Sequence, residues 1–231
     1  MKTIGLIGGM SWESTQIYYR LINQTVREQL GGLHSARLVL YSVDFAEIEA
    51  LQHQGDWEAA AEILAAAADS LERAGAEFLV LCTNTMHKVA SRIEATVSVP
   101  LLHIADATAD VLLRDSVTTV GLLGTRFTME QAFYRDRLEA RGVRVLVPDE
   151  AQRAMIHTVI FEELCLGIVK PESRAAYLDV VSSLAGRGAQ GVILGCTEIG
   201  LLIGESDTHV QLYDTTAIHA RQAVEMALDL T

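Results

Sequence analysis

Cysteine is scarce in this sequence, which argues against a protein held together by disulfide bonds and against a cysteine-ligated metal site. The 231 residues contain three cysteines, an odd number that argues against a disulfide framework and favours a reducing compartment. No two of them have the spacing of a metal-ligand pair. We therefore expect a cytoplasmic protein with neither disulfide bonds nor a metal site.

Long apolar runs and clusters of positive charge are also missing. No uninterrupted apolar segment has the length of a membrane-spanning helix. The opening residues, MKTIGLIGGM, lack the longer apolar segment and cleavage site of a signal peptide. The formal net charge is −12 and no Lys/Arg cluster occurs, which disfavours nucleic acid as a partner. We expect binding to neither membranes nor nucleic acids.

Short apolar runs alternate with longer helical patterns along the whole sequence. This alternation is typical of a parallel sheet covered by helices on both faces. The strand-like runs are Thr3–Ile7, Arg37–Tyr41, Phe78–Leu81, Pro100–His103, Val117–Leu123, Val143–Val147, Gly191–Leu194 and Val210–Tyr213. The helix-like runs include Ser14–Leu30, Trp57–Ala74, Met129–Ala140, Gln152–Leu166, Glu172–Ala185 and Ala217–Leu228.

Three signals mark where helices begin. Thr128 with Gln131, and Asp149 with Gln152, have the spacing of an N-cap and its capping-box partner. Pro171 suits the first turn of the helix that follows it. These residues predict three helix starts.

An internal repeat divides the predicted strands into two sets. The segment AGAEFLVLCTNT (Ala74–Thr85) matches RGAQGVILGCTE (Arg187–Glu198) without a gap. The first strands match as well, IGLIGG (Ile4–Gly9) against VGLLGT (Val120–Thr125). The repeat indicates an α/β protein with two similar Rossmann or flavodoxin-like lobes, each with a parallel sheet, related by duplication.

The repeat also predicts where the lobes divide. We place the first lobe at residues 1–115 and the second at residues 116–214. The C-terminal helix, residues 215–231, should pack back on the first lobe. Facing lobes would bring the loops at their strand ends around one cleft, because ligands of open parallel sheets bind at the carboxyl ends of the strands.

The strand-end loops are rich in small polar groups that suit carboxylate binding. The loops are Gly8–Ser11, Thr83–His87, Thr125–Thr128 and Cys196–Glu198. Their hydroxyl and amide side chains are Ser11, Thr83, Asn84, Thr85, Thr125, Thr128 and Thr197. GLIGGM does not have the spacing of a dinucleotide fingerprint, so Gly8 and Gly9 indicate a tight turn instead. An anionic small molecule is the ligand that this set favours.

The repeat separates the three cysteines by their expected roles. The gapless match sets Thr83 opposite Cys196 and Cys82 opposite Gly195. Successive residues at a strand end point to opposite sides, so Cys82 should look away from a cleft that Thr83 faces. Cys82 is therefore interpreted as a buried apolar residue, and so is Cys165, because it lies within an apolar helical run. Cys196 ends a strand in a Gly/Thr-rich loop, where backbone N–H groups would stabilise its thiolate.

Several of these motifs resemble the aspartate/glutamate racemase family, across the whole chain. They are GLIGGM, NTMH, GLLGT and GCTEI. The sequence is most similar to the enterobacterial-type L-aspartate/glutamate-specific racemases, through GGMSWEST, CTNTMHKVA, LHIADAT, FEELCLG and GCTEIGLL. The resemblance implies cofactor-independent proton exchange at the α-carbon of an amino acid with an acidic side chain, and a homodimer.

The resemblance also implies the site residues. The family motif C-N-T-x-H has Thr83 in place of its cysteine, and Cys196 matches the second family cysteine, so both are the expected catalytic groups. The resemblance suggests that Cys196 faces the L-enantiomer. Because a threonine donates a proton more readily than it removes one, L substrates should be favoured kinetically. Cys165 stands where some members carry a lysine. The expected substrate contacts are Met10, Gln52 (with His53 in the same region), Asn84, Thr85, Thr125 and Thr197.

Two other functions fit the same residues. A decarboxylase or isomerase of a small dicarboxylic acid would use one cysteine on the same scaffold. A non-catalytic protein that binds a dicarboxylate or an amino acid would explain the absence of a cysteine at Thr83. Exchange of the α-hydrogen without release of carbon dioxide would identify a racemase, whereas binding without exchange would identify a binding protein.

Overall fold

Each half of the chain is built on its own four-stranded parallel sheet in the computed structural model, which describes residues 1–230. The first sheet consists of β1 (Ile4–Gly8), β2 (Leu38–Ser42), β3 (Phe78–Leu81) and β4 (Leu101–Leu102), in the order β2-β1-β3-β4. The second consists of β5 (Thr119–Gly124), β6 (Arg144–Leu146), β7 (Gly191–Gly195) and β8 (Gln211–Asp214), in the order β6-β5-β7-β8. All eight predicted strands are confirmed, and so is the α/β class.

Helices connect the strands in both halves. They are α1 (Trp12–Leu30), α2 (Phe45–Gln54), α3 (Trp57–Arg73), α4 (Ala90–Glu94), α5 (Ile104–Arg114), α6 (Arg126–Glu130), α7 (Ala132–Glu139), α8 (Glu150–Glu162), α9 (Pro171–Gly186) and α10 (Thr215–Ala227). Short 3₁₀ helices lie at Thr85–Val89, Leu164–Leu166, Ile199–Leu201 and Glu205–Asp207. Within residues 1–230, none of the helices has the length and apolarity to cross a membrane.

The strand register reproduces the sequence repeat. Ile7 of β1 lies opposite Leu81 of β3 in the first sheet. Their counterparts in the repeat, Leu123 of β5 and Leu194 of β7, lie opposite each other in the second sheet. The duplication therefore extends from the sequence to the pairing of equivalent residues.

Two apolar layers cover the first sheet, and alternate residues of β3 belong to different layers. Leu79 and Leu81 pack in a cluster with buried residues of α2 and α3. Phe78 and Val80 pack in another cluster with residues of α1 and α10. This two-sided burial explains why the central strands read as continuous apolar runs.

The chain divides into two compact units, one of Met1–Ile104 with residues 219–230 and one of Ala105–Ile218. The division precedes α5, whereas the sequence placed the junction at residue 115. Two ion pairs join α5 to α7 within the second unit. The Nε of Arg137 donates to Asp106 Oδ1 at 2.9 Å, and Arg141 pairs with Asp110.

The last helix belongs mainly to the first unit. Ala220, Ala223 and Val224 of α10 share a buried cluster with Ile4 of β1 and Phe78 of β3. Thr231, the end of the predicted helix at residues 215–231, lies outside the described residues.

One predicted helix start is wrong, and two are confirmed. Thr125, not Thr128, caps α6, and its Oγ1 accepts the Thr128 N–H at 3.3 Å. The run predicted as one helix at Met129–Ala140 is broken by the extended backbone of Gln131 between α6 and α7. Asp149 forms the predicted capping box at α8, and α9 begins with its proline as expected.

Candidate active site

The turn after β1 is tight, as its two glycines predicted. Gly9 has φ +98°, and a Cβ there would lie 2.2 Å from the Val43 carbonyl oxygen. The Gly9 N–H donates to Thr15 Oγ1 at 2.8 Å, and the same hydroxyl donates to the Ser11 carbonyl at 2.8 Å. The turn therefore requires a residue without a side chain and is tied to the first helix.

The loop after β3 carries Thr83, Asn84 and Thr85. The Thr83 N–H donates to the Leu81 carbonyl at 2.8 Å, immediately beyond the end of the strand. All three side chains are nearly buried, and Thr83 is 7% exposed. The segment then turns into the 3₁₀ helix Thr85–Val89. The structure thus holds these predicted site residues close together in a constrained loop.

Cys82 points into the apolar core of the first unit. It is fully buried and joins the cluster that contains Phe78 and Val80, the strand residues of the same parity. Burial raises the pKa of its thiol far above the ordinary value. Cys82 is therefore an inert core residue, as the alternation of the strand predicted.

Met10 and Gln52 are both buried in the first unit. Met10 packs in the apolar cluster that contains Ile7. The Gln52 amide lies on α2 and donates to Met86 Sδ at 3.0 Å. Their role as substrate contacts stays a prediction.

The second unit places Cys196 directly after β7, next to an acidic side chain. The Cys196 thiol donates to Glu198 Oε2 at 3.0 Å, and the Thr197 hydroxyl donates to the same oxygen at 2.6 Å. All three residues are buried, with Cys196 8% exposed. Glu198 therefore accepts a hydrogen bond from each of the two side chains and orients both.

The acidity of Cys196 differs from the sequence expectation. Burial, followed by the Glu198 carboxylate, raises the pKa of the thiol well above its ordinary value. A backbone hydrogen bond from Glu198 lowers this pKa, as the loop predicted, but it is outweighed. The resting residue is consequently a thiol, and any reaction that uses its thiolate must first transfer the proton to a base.

Thr125 follows β5, whose neighbour in the sheet is β7. Gly124 lies opposite Gly195 in the register, so Thr125 and Cys196 leave the same edge of the second sheet. The Thr125 side chain caps α6 and is 5% exposed. Of the predicted contacts in this unit, Thr125 and Thr197 thus share the strand-end edge with Cys196.

Two contacts were not predicted from the sequence. The sequence did contain a signal for the hydrogen bond to Glu198, because a carboxylate two residues after a strand-end cysteine can reach its thiol. The imidazole of His87 lies 2.7 Å from the Thr83 carbonyl oxygen through its Nδ1. His87 was visible only as part of the N-T-x-H motif. Among residues 1–230, no group of three or more His, Cys, Asp or Glu side chains is placed to hold a metal ion.

Two duplicated parallel α/β units with polar strand-end loops define a class of two-lobed enzymes. A family model identifies the family within this class. The model for Asp/Glu/Hydantoin racemases matches residues 7–223. The chain belongs to this family, and it is therefore an isomerase whose substrate is an amino acid.

Individual relatives match over nearly the full chain. The broad-specificity amino-acid racemase RacX of Bacillus subtilis strain 168 is 24% identical over 234 residues, which cover 97% of this chain and 98% of that protein. A Yersinia pestis crystal structure assigned to the Asp/Glu racemases is 58% identical with a TM-score of 0.92, covering 99% and 100% of the two chains. An aspartate racemase homologue from Pyrococcus horikoshii OT3 is 38% identical with a TM-score of 0.85, with the same coverage.

Proposed function

We propose that this protein racemises aspartate or glutamate by cofactor-independent proton exchange at the α-carbon, with Cys196 and Thr83 as the two proton-transfer groups. The observation that carries the proposal is the hydrogen bond from Cys196 Sγ to Glu198 Oε2. It supplies a strand-end thiol with an adjacent base, which is the arrangement that activates a cysteine. The family membership supplies the reaction type.

The first half of the reaction begins with the thiol proton. Glu198 takes this proton, which leaves a Cys196 thiolate beside a neutral carboxylic acid. The ammonium group of the substrate favours this transfer, because a positive charge nearby stabilises the thiolate. The thiolate then removes the α-hydrogen of the L-amino acid, and Cys196 becomes a thiol again while the substrate becomes a carbanion.

The second half returns a proton to the opposite face of the carbanion. The Thr83 hydroxyl gives its proton to the carbanion. Before the next turnover Thr83 takes a proton from solvent, and Glu198 releases to solvent the proton that it took from Cys196. Removal of a proton by Thr83 would need an alkoxide, which is inaccessible near neutral pH without strong activation. We therefore propose that L-to-D conversion is faster than the reverse, although the equilibrium constant between enantiomers is one by symmetry.

The substrate assignment rests on the ligand chemistry of the loops and on the relatives. Backbone N–H groups and hydroxyls at Asn84, Thr85, Thr125 and Thr197 suit the carboxylates of an acidic amino acid. The Yersinia pestis structure is assigned to Asp/Glu racemases and the Pyrococcus horikoshii protein is an aspartate racemase homologue. Both descriptions favour aspartate or glutamate over neutral amino acids.

Replacement of Cys196 tests the proposal. Cys196→Ala should reduce deuterium incorporation at the α-carbon of L-aspartate and L-glutamate in deuterium oxide by at least about 1,000-fold, because it removes the proton-transfer group. Cys82→Ala is the control, since it removes a thiol that lies in the apolar core. Equal losses in the two variants would contradict the assignment of Cys196.

The same assay distinguishes the other functions and tests cofactor independence. The enzyme is first dialysed against a chelator, and no pyridoxal phosphate is added. We expect exchange to persist and no carbon dioxide to form. Release of carbon dioxide would identify a decarboxylase, tight binding without exchange would identify a binding protein, and recovery only upon adding metal or pyridoxal phosphate would refute cofactor independence.

A further inference from the structure

Three buried histidines lie together in the first unit, close to the end of β3. The ring centroids of His87 and His103 are 4.5 Å apart, and those of His87 and His219 are 5.8 Å apart. All three side chains are almost fully buried. Of the three, His87 makes a contact with Thr83.

Two hydrogen bonds define the tautomer of His87. The backbone N–H of Ile104 donates to Nε2 at 3.2 Å, so Nε2 carries no proton. A neutral imidazole has one N–H, which must then be on Nδ1. Because Nδ1 lies 2.7 Å from the Thr83 carbonyl oxygen, His87 donates a hydrogen bond to Thr83.

The neighbouring rings restrict the orientation of His87. His219 Nε2 lies 2.9 Å from the Leu102 carbonyl oxygen and can only donate there. Its Nδ1 must then accept from the Tyr18 hydroxyl, which is 2.9 Å away. Because His219 is fixed at both nitrogens and the His103 ring also packs against His87, the His87 ring has little room to rotate.

Both backbone groups of Thr83 are therefore held. Its N–H donates to the Leu81 carbonyl, and its carbonyl accepts from His87. We propose that His87 is a positioning residue, which holds the Thr83 backbone so that the hydroxyl can return a proton to the substrate carbanion. The inference rests on the proposed function, because it takes Thr83 as the proton donor. A displacement of about 1 Å in a reacting group costs roughly 100-fold in rate.

A partition experiment isolates the step that His87 serves. With L-aspartate in deuterium oxide, Cys196 gives deuterated L-aspartate once the proton that it removed has exchanged for solvent deuterium, whereas return on the Thr83 face gives deuterated D-aspartate. The ratio of D-product to deuterated L-substrate therefore compares return on the Thr83 face with exchange and return at Cys196. A general loss of folded enzyme lowers both products and leaves this ratio unchanged.

Two amide replacements separate the contacts of the ring. In His87→Asn the amide nitrogen takes the place of Nδ1 and can still donate to the Thr83 carbonyl. In His87→Gln the amide reaches the place of Nε2, where it can accept from Ile104 but leaves Thr83 without its donor. We expect His87→Gln to lower the partition ratio at least about tenfold and His87→Asn to stay within about threefold of the wild type.

A double-mutant cycle with Thr83→Val completes the test. If His87 acts through Thr83, adding His87→Gln to Thr83→Val should cause no further fall in the ratio. An equal fall in both backgrounds, or equal ratios for the Asn and Gln variants, would overturn the proposal. Wild-type enzyme that exchanges L-aspartate but forms no D-product would overturn it too. Absence of any exchange would instead refute the proposed function.

The tautomer can be measured in the wild-type enzyme without any substitution. Nitrogen-15 NMR of histidine-labelled protein should show His87 protonated at Nδ1 and unprotonated at Nε2, with the resonance assigned through its loss in His87→Asn. A proton on Nε2 would mean that no hydrogen bond is donated to Thr83, and the proposal would fail whatever the variants do.

Discussion

At the scale of the residue, the alternation of side chains along β3 determines which of Cys82 and Thr83 points into the apolar core. Cys82 follows Phe78 and Val80 into the apolar cluster, while Thr83 has the parity of Leu79 and Leu81. This alternation could be predicted from the sequence, because it depends on local geometry. The raised pKa of Cys196 could not, because it arises from burial and from the direction of a carboxylate.

Restoring a thiol at position 83 should change the directional bias. Thr83→Cys replaces a hydroxyl that only donates with a thiol that can both donate and remove a proton, since an unperturbed thiol has a pKa of about 8.5. We expect the ratio of initial deuterium incorporation from D-aspartate to that from L-aspartate to rise about tenfold or more.

Thr83→Ser is the matched control, because it keeps a hydroxyl with the same proton chemistry and should keep the bias of the wild type. A wild-type enzyme that already exchanges both enantiomers at equal rates would contradict the role given to Thr83. So would a Thr83→Cys variant that gains no exchange with D-aspartate while its fold is intact.

At the scale of the element, the sequence predicted strands better than helices. Apolar runs marked every strand, and the central strands β1, β3, β5 and β7 are buried along nearly their whole length. The helices α2 and α5 were not predicted. The start of α2 is capped by Asp44, whose side chain accepts the Ala46 N–H. Such caps depend on a single side chain, and the ion pairs that join α5 to α7 involve residues far apart in the sequence, so no local pattern predicts them.

The turn after β1 gives a prediction at this scale. Gly9→Ala adds a Cβ where the Val43 carbonyl oxygen would lie 2.2 Å away, at a positive φ. Gly75→Ala is the matched control, because Gly75 has φ +93° but no atom within 4 Å of the added Cβ. We expect the control to lose about 1 kcal/mol of unfolding free energy from φ alone, and Gly9→Ala to lose at least about 2 kcal/mol more from the collision.

Urea denaturation of both glycine variants measures the difference. Similar losses would mean that the segment at Val43 moves aside without cost, and that β1 does not need a glycine at this turn. The loss in Gly9→Ala should also lower exchange activity, since Ser11 and the first helix are tied to the same turn.

At the scale of the whole molecule, duplication could be detected from the sequence but the boundary could not be placed. Equivalent residues such as Leu81 and Leu194 keep both their apolar character and their register, so the repeat was visible. The boundary depends on which unit α5 contacts. Those contacts involve Asp106 and Arg137, which are far apart in the sequence.

The pH dependence of stability is a property of the whole molecule to which His219 contributes. Burial lowers the pKa of His219 to about 4, below the value of about 6.5 in an unfolded chain. Between these values the unfolded chain binds the extra proton, so stability falls as pH decreases through this window. The contribution is fully present above about pH 6.5 and amounts to roughly 3 kcal/mol when lost.

Urea denaturation from pH 4 to pH 7.5 checks this contribution. His219→Gln should be less stable than the wild type near pH 7 but should depend less steeply on pH below 6.5. His34→Gln is the control variant, because it removes a histidine that is exposed. A His219→Gln slope equal to that of the wild type would assign the pH dependence to other groups.

The C-terminal helix α10 packs in the first unit, and this has a consequence for synthesis on the ribosome. Residues 105–218 form one unit from a continuous stretch, whereas the first unit needs residues 219–230 as well. Until Ala220, Ala223 and Val224 emerge, the β1 and β3 side chains of that face can pack against α1 but lack the cover that α10 provides. The unit that begins first is therefore completed last, and the nascent chain exposes an apolar surface that chaperones recognise for as long as the second unit takes to be made.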